Sequence, residues 1–424
     1  MKFRLRVFLA IAAVLSVSAA VIGEERPFAW LLGDSDIETH GFYEMRAGYR
    51  LRKDKYQKDM SIMENRFQVD LSAYPQWGDL KVKGDVFGDL VTERADFQLR
   101  EAWLFTRPMD FMDVKIGRQI LTWGTGDLIF INDLFPKDWQ SFFIGRDDEY
   151  LKAPSDAVKV SLFSDLVNLD IVYTPQFDPD NFIRGERLSY WNPNLGRLAG
   201  QDAKVHTDRP NRWIRDSEIT VRLYKNINNY ELALYGYRGF WKSPAGMNAM
   251  GLATFPDLNV YGASIRGAVG KGIGNLEIGY YDSADDTSGR NPMVNNSEMR
   301  YLVGYNQEIG KELTAGLQYY VEQMLDYRGY KDNLPAGPAR DGYRHLATVR
   351  LTKLLMNQNL RLSFFTYYSP TDKDVHIRPN VHYKVSDNIA VEAGANVFFG
   401  DYPNSFFGQF ENNTNIYTAI RYSF

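Results

Sequence analysis

Apolar residues recur at every second position in eighteen segments of this 424-residue chain, a spacing that commits it to β-strands with one apolar and one polar face. The segments are 40–50, 63–74, 79–90, 97–106, 111–121, 156–164, 166–174, 216–225, 229–241, 257–268, 273–283, 298–308, 312–325, 342–353, 358–369, 375–384, 389–399 and 413–424. In one of them Phe67, Val69, Leu71 and Ala73 alternate with Arg66, Gln68, Asp70 and Ser72. A strand tilted by roughly 40° and rising about 3.3 Å per residue crosses about 25 Å of hydrocarbon in about eleven residues, which fits these lengths. No later run is long and apolar enough for a membrane helix. Because backbone polar groups cannot go unpaired in lipid, a membrane protein of this profile has to close its strands into a barrel. The expectation is an all-β transmembrane antiparallel barrel of about eighteen strands, with sixteen as the alternative count.

The connections support closure in a membrane. PQWG at Pro75, RPMD at Arg107, NIN at Asn226 and VSD at Val385 are short, and they alternate with long connections at 51–62, 122–155, 175–215, 242–256, 284–297, 326–341 and 400–412. Short periplasmic turns opposite long external loops are the pattern of bacterial outer-membrane barrels. A soluble sandwich or propeller is the competing reading. Its turn signals would repeat at a fixed period, which they do not, and it gives no reason for Tyr43, Tyr49, Tyr301, Tyr305 and Tyr383 to sit near strand ends. The last strand places Ile416, Thr418, Ile420, Tyr422 and Phe424 on one face. A terminal aromatic there resembles the C-terminal assembly signal of outer-membrane barrels, which implies a Gram-negative outer membrane and the barrel assembly machinery as a partner.

At the other end, Lys2, Arg4 and Arg6 precede an apolar run from Val7 to Val17 and the small residues Ser18, Ala19 and Ala20, so 1–20 reads as an export signal. A short periplasmic segment over 21–39 and the barrel over 40–424 follow. The absence of Cys excludes disulfides and thiolate metal sites, and a net charge of −4 gives no nucleic-acid signal. No cofactor or metal set is evident. Five His and no Gly-x-Ser-x-Gly elbow leave little for a hydrolase, so an enzyme is not expected.

If the apolar set faces lipid, the intervening residues line the lumen. From residue 342 onward these are Arg344, Arg350, Arg361, His376, Arg378, His382, Lys384 and Arg421, against Glu392 alone: one wall is basic. The segment 122–155 is unusually apolar for an exposed loop, and its length and composition predict that it folds inward. Placed after the fifth strand, it resembles the constriction loop of general porins. Its Asp127, Asp133, Asp138, Asp147, Asp148 and Glu149 would face the basic wall across an eyelet. Leading into it, GRQILTWGTGD, from Gly117 to Asp127, resembles a strand-to-loop motif of alginate-export-type and uncharacterised porin-like families. In such barrels lumenal arginines guide an anionic polymer. By parity Lys115 and Gln119 point inward here, whereas Arg118 faces lipid unless a bulge turns it.

Tyr190 and Trp191 beside Arg184 and Arg187 suggest a sugar-stacking platform in the loop 175–215. The function expected is passive diffusion of small hydrophilic, anionic solutes through the cell outer membrane. Export of an acidic polysaccharide, or a plugged structural or adhesin barrel, are the alternatives. Outer-membrane lipid and lipopolysaccharide would surround the chain. A homotrimer is compatible with this, although no sequence feature marks a subunit interface.

Overall fold

The structure, a computed structural model, describes residues 35–334 and 339–424; the expected export signal and most of the 21–39 segment fall outside them. Eighteen antiparallel strands make one sheet that closes on itself. Strands β1 to β7 are Ile37–Arg50, Met60–Ala73, Asp79–Asp89, Arg94–Met109, Met112–Ile120, Pro154–Leu162 and Asn168–Thr174. Strands β8 to β18 are Glu218–Ile227, Tyr230–Phe240, Asp257–Val269, Gly272–Ser283, Glu298–Gly310, Leu313–Met324, Tyr343–Leu355, Leu360–Ser369, Asp374–Lys384, Ile389–Gly400 and Asn415–Ser423. Each expected segment has its strand, so the count of eighteen holds, and β1 begins at Ile37 instead of near His40. Each connection after an even-numbered strand spans at most five residues, as at 74–78 and 163–167, while those after odd-numbered strands run as long as 121–153 and 175–217. The two ends of the barrel therefore differ as they do in outer-membrane barrels.

Parity sorts the wall. On β1 the outward Tyr43, Met45 and Tyr49 are exposed, while the inward Glu44, Arg46 and Arg50 are buried. Burial of charges on the lumenal side is not what an empty, water-filled pore would give. It arises because the loop 121–153 covers Arg46, whose guanidinium donates to the Gly145 carbonyl, while the carbonyls of Lys58, Met60 and Arg187 enclose Arg50.

Closure runs through β18, which pairs with β1 from Phe42↔Ser423 to Arg50↔Asn415 and with β17 on its other side. Phe424 is tied in both directions to Gly41, by N–H to C=O bonds of 3.1 and 3.0 Å, and its ring stacks on Phe67 at 5.9 Å. A Cβ at Gly41 would lie 2.6 Å from the Phe424 ring, so only glycine leaves the terminal ring its seat. Gly41→Val is thus expected to lower the folded fraction markedly in refolding into vesicles. The readout is the heat-modifiable band on unboiled gels; an undiminished band would show that the seat is dispensable.

Candidate channel constriction

The segment 121–153 leaves β5, enters the lumen and returns to β6. Three anchors fix its course. The first is Glu277, an inward carboxylate of β11. Its Oε1 accepts from the amide of Thr125, from Thr125 Oγ1 at 2.7 Å and from the Gly126 amide at 2.8 Å. Its Oε2 accepts from the Asn132 side-chain amide at 2.9 Å and its backbone amide at 3.3 Å. A carboxylate meeting several amides is a strong charge-assisted cluster, and Gly124, at φ +80, supplies the turn that lets the chain wrap it. One residue on, the Asp127 amide and carbonyl clasp the Gln318 side chain of β13 at 2.7 and 2.8 Å.

The second anchor is apolar. Helix α1 (Trp139–Ile144) is capped by Asp138, which accepts from the Ser141 amide at 2.8 Å, and it ends at Gly145 in the left-handed region. It seats Phe142 and Phe143 among Tyr367 of β15, His376 of β16 and Phe398 of β17. The third anchor is ionic and aromatic. Arg146 reaches Glu64 at 2.5 Å, and Tyr150 donates to Asp85 at 2.8 Å while lying between the guanidiniums of Arg66 and Arg100 at 4.4 and 4.6 Å. Together the anchors tie the loop to strands on opposite sides of the barrel, so it crosses the lumen.

Between these anchors the loop presents carboxylates to the wall. Asp127 forms a two-point pair with Arg350, with Nη2 to Oδ1 at 2.9 Å, and Asp148 meets Arg378 at 2.9 Å. Arg421 reaches Glu44 at 2.8 Å, Asp147 at 3.2 Å and Glu149 at 3.9 Å, and Lys83 approaches Glu149 at 3.6 Å. Arg361 is exposed and makes no ion pair among the described residues; His382 is half-buried and Lys384 exposed on the next strand.

Several sequence expectations need correction. His376 does not line the pore: it is fully buried, stacked on Phe398 at 4.2 Å and bonded to Asn396, because α1 covers it. Asp133 is buried on Lys137 at 3.0 Å, and Asp138 is consumed as the helix cap, so neither faces the eyelet. Arg344 meets none of the loop acids: it pairs with Asp372 at 2.6 Å beside a cavity of about 720 Å³. That cavity is also lined by Trp139, Ile183, Tyr190 and Phe406. Arg187, offered for a sugar platform, is buried against Asp89 instead. Lys115 lies over the Trp103 ring at 3.9 Å, and Arg118 pairs with Asp156 at 3.0 Å on the outward parity, opposite to the buried Gln119.

The three consecutive acids of the loop are not equivalent. Burial pushes the Glu149 carboxyl up against the pull of Lys83, and Asp147 beside it adds to the rise. Enclosure also raises Asp148, but Arg378, with Arg350 and Arg361 behind it, lowers it more, so it stays below the usual carboxylate range. On acidification from neutral, Glu149 therefore loses its charge before Asp148. The eyelet then gains net positive charge, and the anion-to-cation permeability ratio should rise as the pH falls from neutral through the raised Glu149 value, above the ordinary carboxylate range. Glu149→Gln is expected to flatten that rise; reversal potentials that still shift equally in this variant would assign the effect elsewhere.

No family model matches the chain, and no curated protein matches it. Solved structures do. OccK2 (OpdF) of Pseudomonas aeruginosa, solved in complex with glucuronate, aligns over 92% of this chain and 98% of its own at 10% identity and a TM-score of 0.55. OccAB4 of Acinetobacter baumannii covers 92% and 98% at 10% identity with a TM-score of 0.57, and OccAB3 of the same species 92% and 99% at 12% identity with 0.54. These are outer-membrane porins. The chain shares their fold. None of the three is named as an alginate exporter, and the resemblance of the Gly117–Asp127 motif gains no support from them.

Proposed function

We propose that this chain is a porin of the cell outer membrane, a passive channel for small hydrophilic solutes that favours anions. The observation that carries the reading is the inward loop whose Asp127, Asp147, Asp148 and Glu149 pair with Arg350, Arg378 and Arg421 of the lumenal wall. A one-sided field across a low-dielectric constriction orients and sorts charged solutes. The anionic preference rests on what pairing leaves over. The loop acids are spent on arginines, while Arg361 and Lys384 remain open to the lumen. The glucuronate in the OccK2 complex is a small hydrophilic anion.

Planar-bilayer recording tests the reading. Discrete ion steps with a reversal potential displaced toward the anion equilibrium value are expected. A protein that inserts and never conducts would leave the plugged structural barrel instead. The tie of the loop to many strands gives that second reading its one specific support.

A further inference from the structure

The outer wall of the barrel is concave over β8 to β13, where a cavity of about 800 Å³ is lined by Leu234, Ala263, Ile265, Leu276, Val303 and Val321. A barrel is convex outside, so a hollow needs a local reason. The register supplies it: Ala263 on β10 lies between Leu234 on β9 and Ile278 on β11, a short side chain flanked by two long ones. All of this faces outward, as the exposure of Leu234, Leu276, Ile278 and Val303 shows.

Four residues farther along β9, roughly 13 Å toward the long-loop end, Arg238 shares the outward parity of Leu234 and is exposed. Its cross-strand neighbours are Ile219 and Asn259. An outward arginine is tolerated on a barrel only near the headgroups, and the stacked Tyr261–Tyr280 pair, 6.5 Å apart on the neighbouring strands, suits the same level. Directly above, the segment entering β8 carries Arg212, Trp213, Ile214 and Arg215. Trp213 is 67% and Ile214 62% exposed. Ile214 holds φ +66, a region that a β-branched residue seldom enters. The bonds from the Ile214 amide to Pro175 and from the Asp216 amide to Arg212, 2.7 and 2.9 Å, lock that turn. Its effect is to hold two apolar side chains out of the fold.

Arg212, Arg215 and Arg238 make no ion pair among the described residues. The carboxylates nearby are Asp216, which accepts from the Arg212 amide at 2.7 Å, Asp257, which lies within electrostatic reach of Arg238 and Asp216, and Asp285, which accepts from the Asp257 amide at 3.0 Å. A guanidinium has five N–H donors in a planar fork suited to phosphate, so these three keep donors free.

On the reading of the chain as an outer-membrane barrel, we propose that this wall holds one phosphorylated, acylated lipid of the outer leaflet. Its acyl chain occupies the Ala263 groove, its phosphate meets Arg212, Arg215 and Arg238, and Trp213 and Ile214 sit at the headgroup boundary. The apolar groove and the basic, aromatic rim are continuous along β8 and β9, which is what a lipid needs and what a free anion does not.

Native mass spectrometry of the full chain in mild detergent tests this, with bisphosphorylated lipid A, the same lipid stripped of phosphate, and inorganic phosphate as probes. The wild-type chain should retain one molecule of the bisphosphorylated lipid per chain and lose most of it with the stripped lipid. The variants R212S/R215S/R238S and Ala263→Phe should each lose most of the retention, one through the headgroup and one through the tail. A heat-modifiable band certifies their folding, since the first alters only the rim and the second only the outer face. Equal retention by all variants overturns the proposal, as does displacement of the lipid by inorganic phosphate alone, or a lipid-free dimer that puts a second copy over the groove. Bilayer conductance of the same variants should match wild type. A wild-type protein that binds lipid and does not conduct would fail the channel reading while sparing this one.

Discussion

Replacing residues 128–145 by a short Gly/Ser linker is expected to raise single-channel conductance several-fold, with the barrel still folded. The excised stretch holds the apolar half of the loop, including α1 and its Phe142 and Phe143, but none of the strand-to-strand bonds that close the sheet. Barrel stability should therefore fall only by what the inner aromatic cluster contributes. Lumenal area should grow by what the loop occupies. His376, Phe398 and Phe410, now covered, would become wetted wall. Glu277→Ala is the milder version of the same experiment. It strands the donors of Thr125, Gly126 and Asn132 at about 1–3 kcal/mol each where they stay dry, so the loop should loosen at its first anchor and conductance should become noisy. Glu277→Gln should do part of this, because its NH₂ would face the Asn132 donors. Unchanged conductance in the linker variant would mean that the narrowest point lies elsewhere.

Much of this was legible in the alternation of side chains. Two-residue periodicity marks each strand, and the alternating lengths of connections distinguish the two ends, because both follow from local geometry. The inward turn of 121–153 was legible from its apolar content, since Phe142 and Phe143 have no other place to bury. What parity cannot reveal is who meets whom. His376 reads as lumenal by its position and is, but the lumen at that height is filled by α1. Asp133 and Asp138 read as eyelet acids by composition, while local chemistry claims them first, one for Lys137 four residues on and one for a helix cap. By parity Glu277 is one lumenal acid among many, and nothing in the residues around it singles it out. Its partners, the amides of Thr125 and Gly126, lie some 150 positions away along the chain, and no local rule joins them.

The same pairing changes what a charge substitution should do. On a bare basic wall, removing Arg350 and Arg378 would subtract two cations. Here it also releases Asp127 and Asp148, whose partners they are. Arg350→Ser with Arg378→Ser should thus convert the eyelet from compensated to net negative, and the reversal potential under a salt gradient should change sign, toward cations. Arg361→Ser should act differently. With no ion pair among the described residues, its loss removes one open cation and frees no carboxylate, so anion preference should weaken without reversing. High salt should shrink both effects, because the Debye length falls to about 3 Å at 1 M. The two variants should therefore differ in the sign of the reversal potential as well as in the size of its shift. Equal shifts would mean that the loop acids do not see the permeant ion, and that the pairs only hold the loop. A sign change confined to the double variant would place Asp127 and Asp148 in the conducting path, with the arginines of β14 and β16 setting the charge an anion meets there.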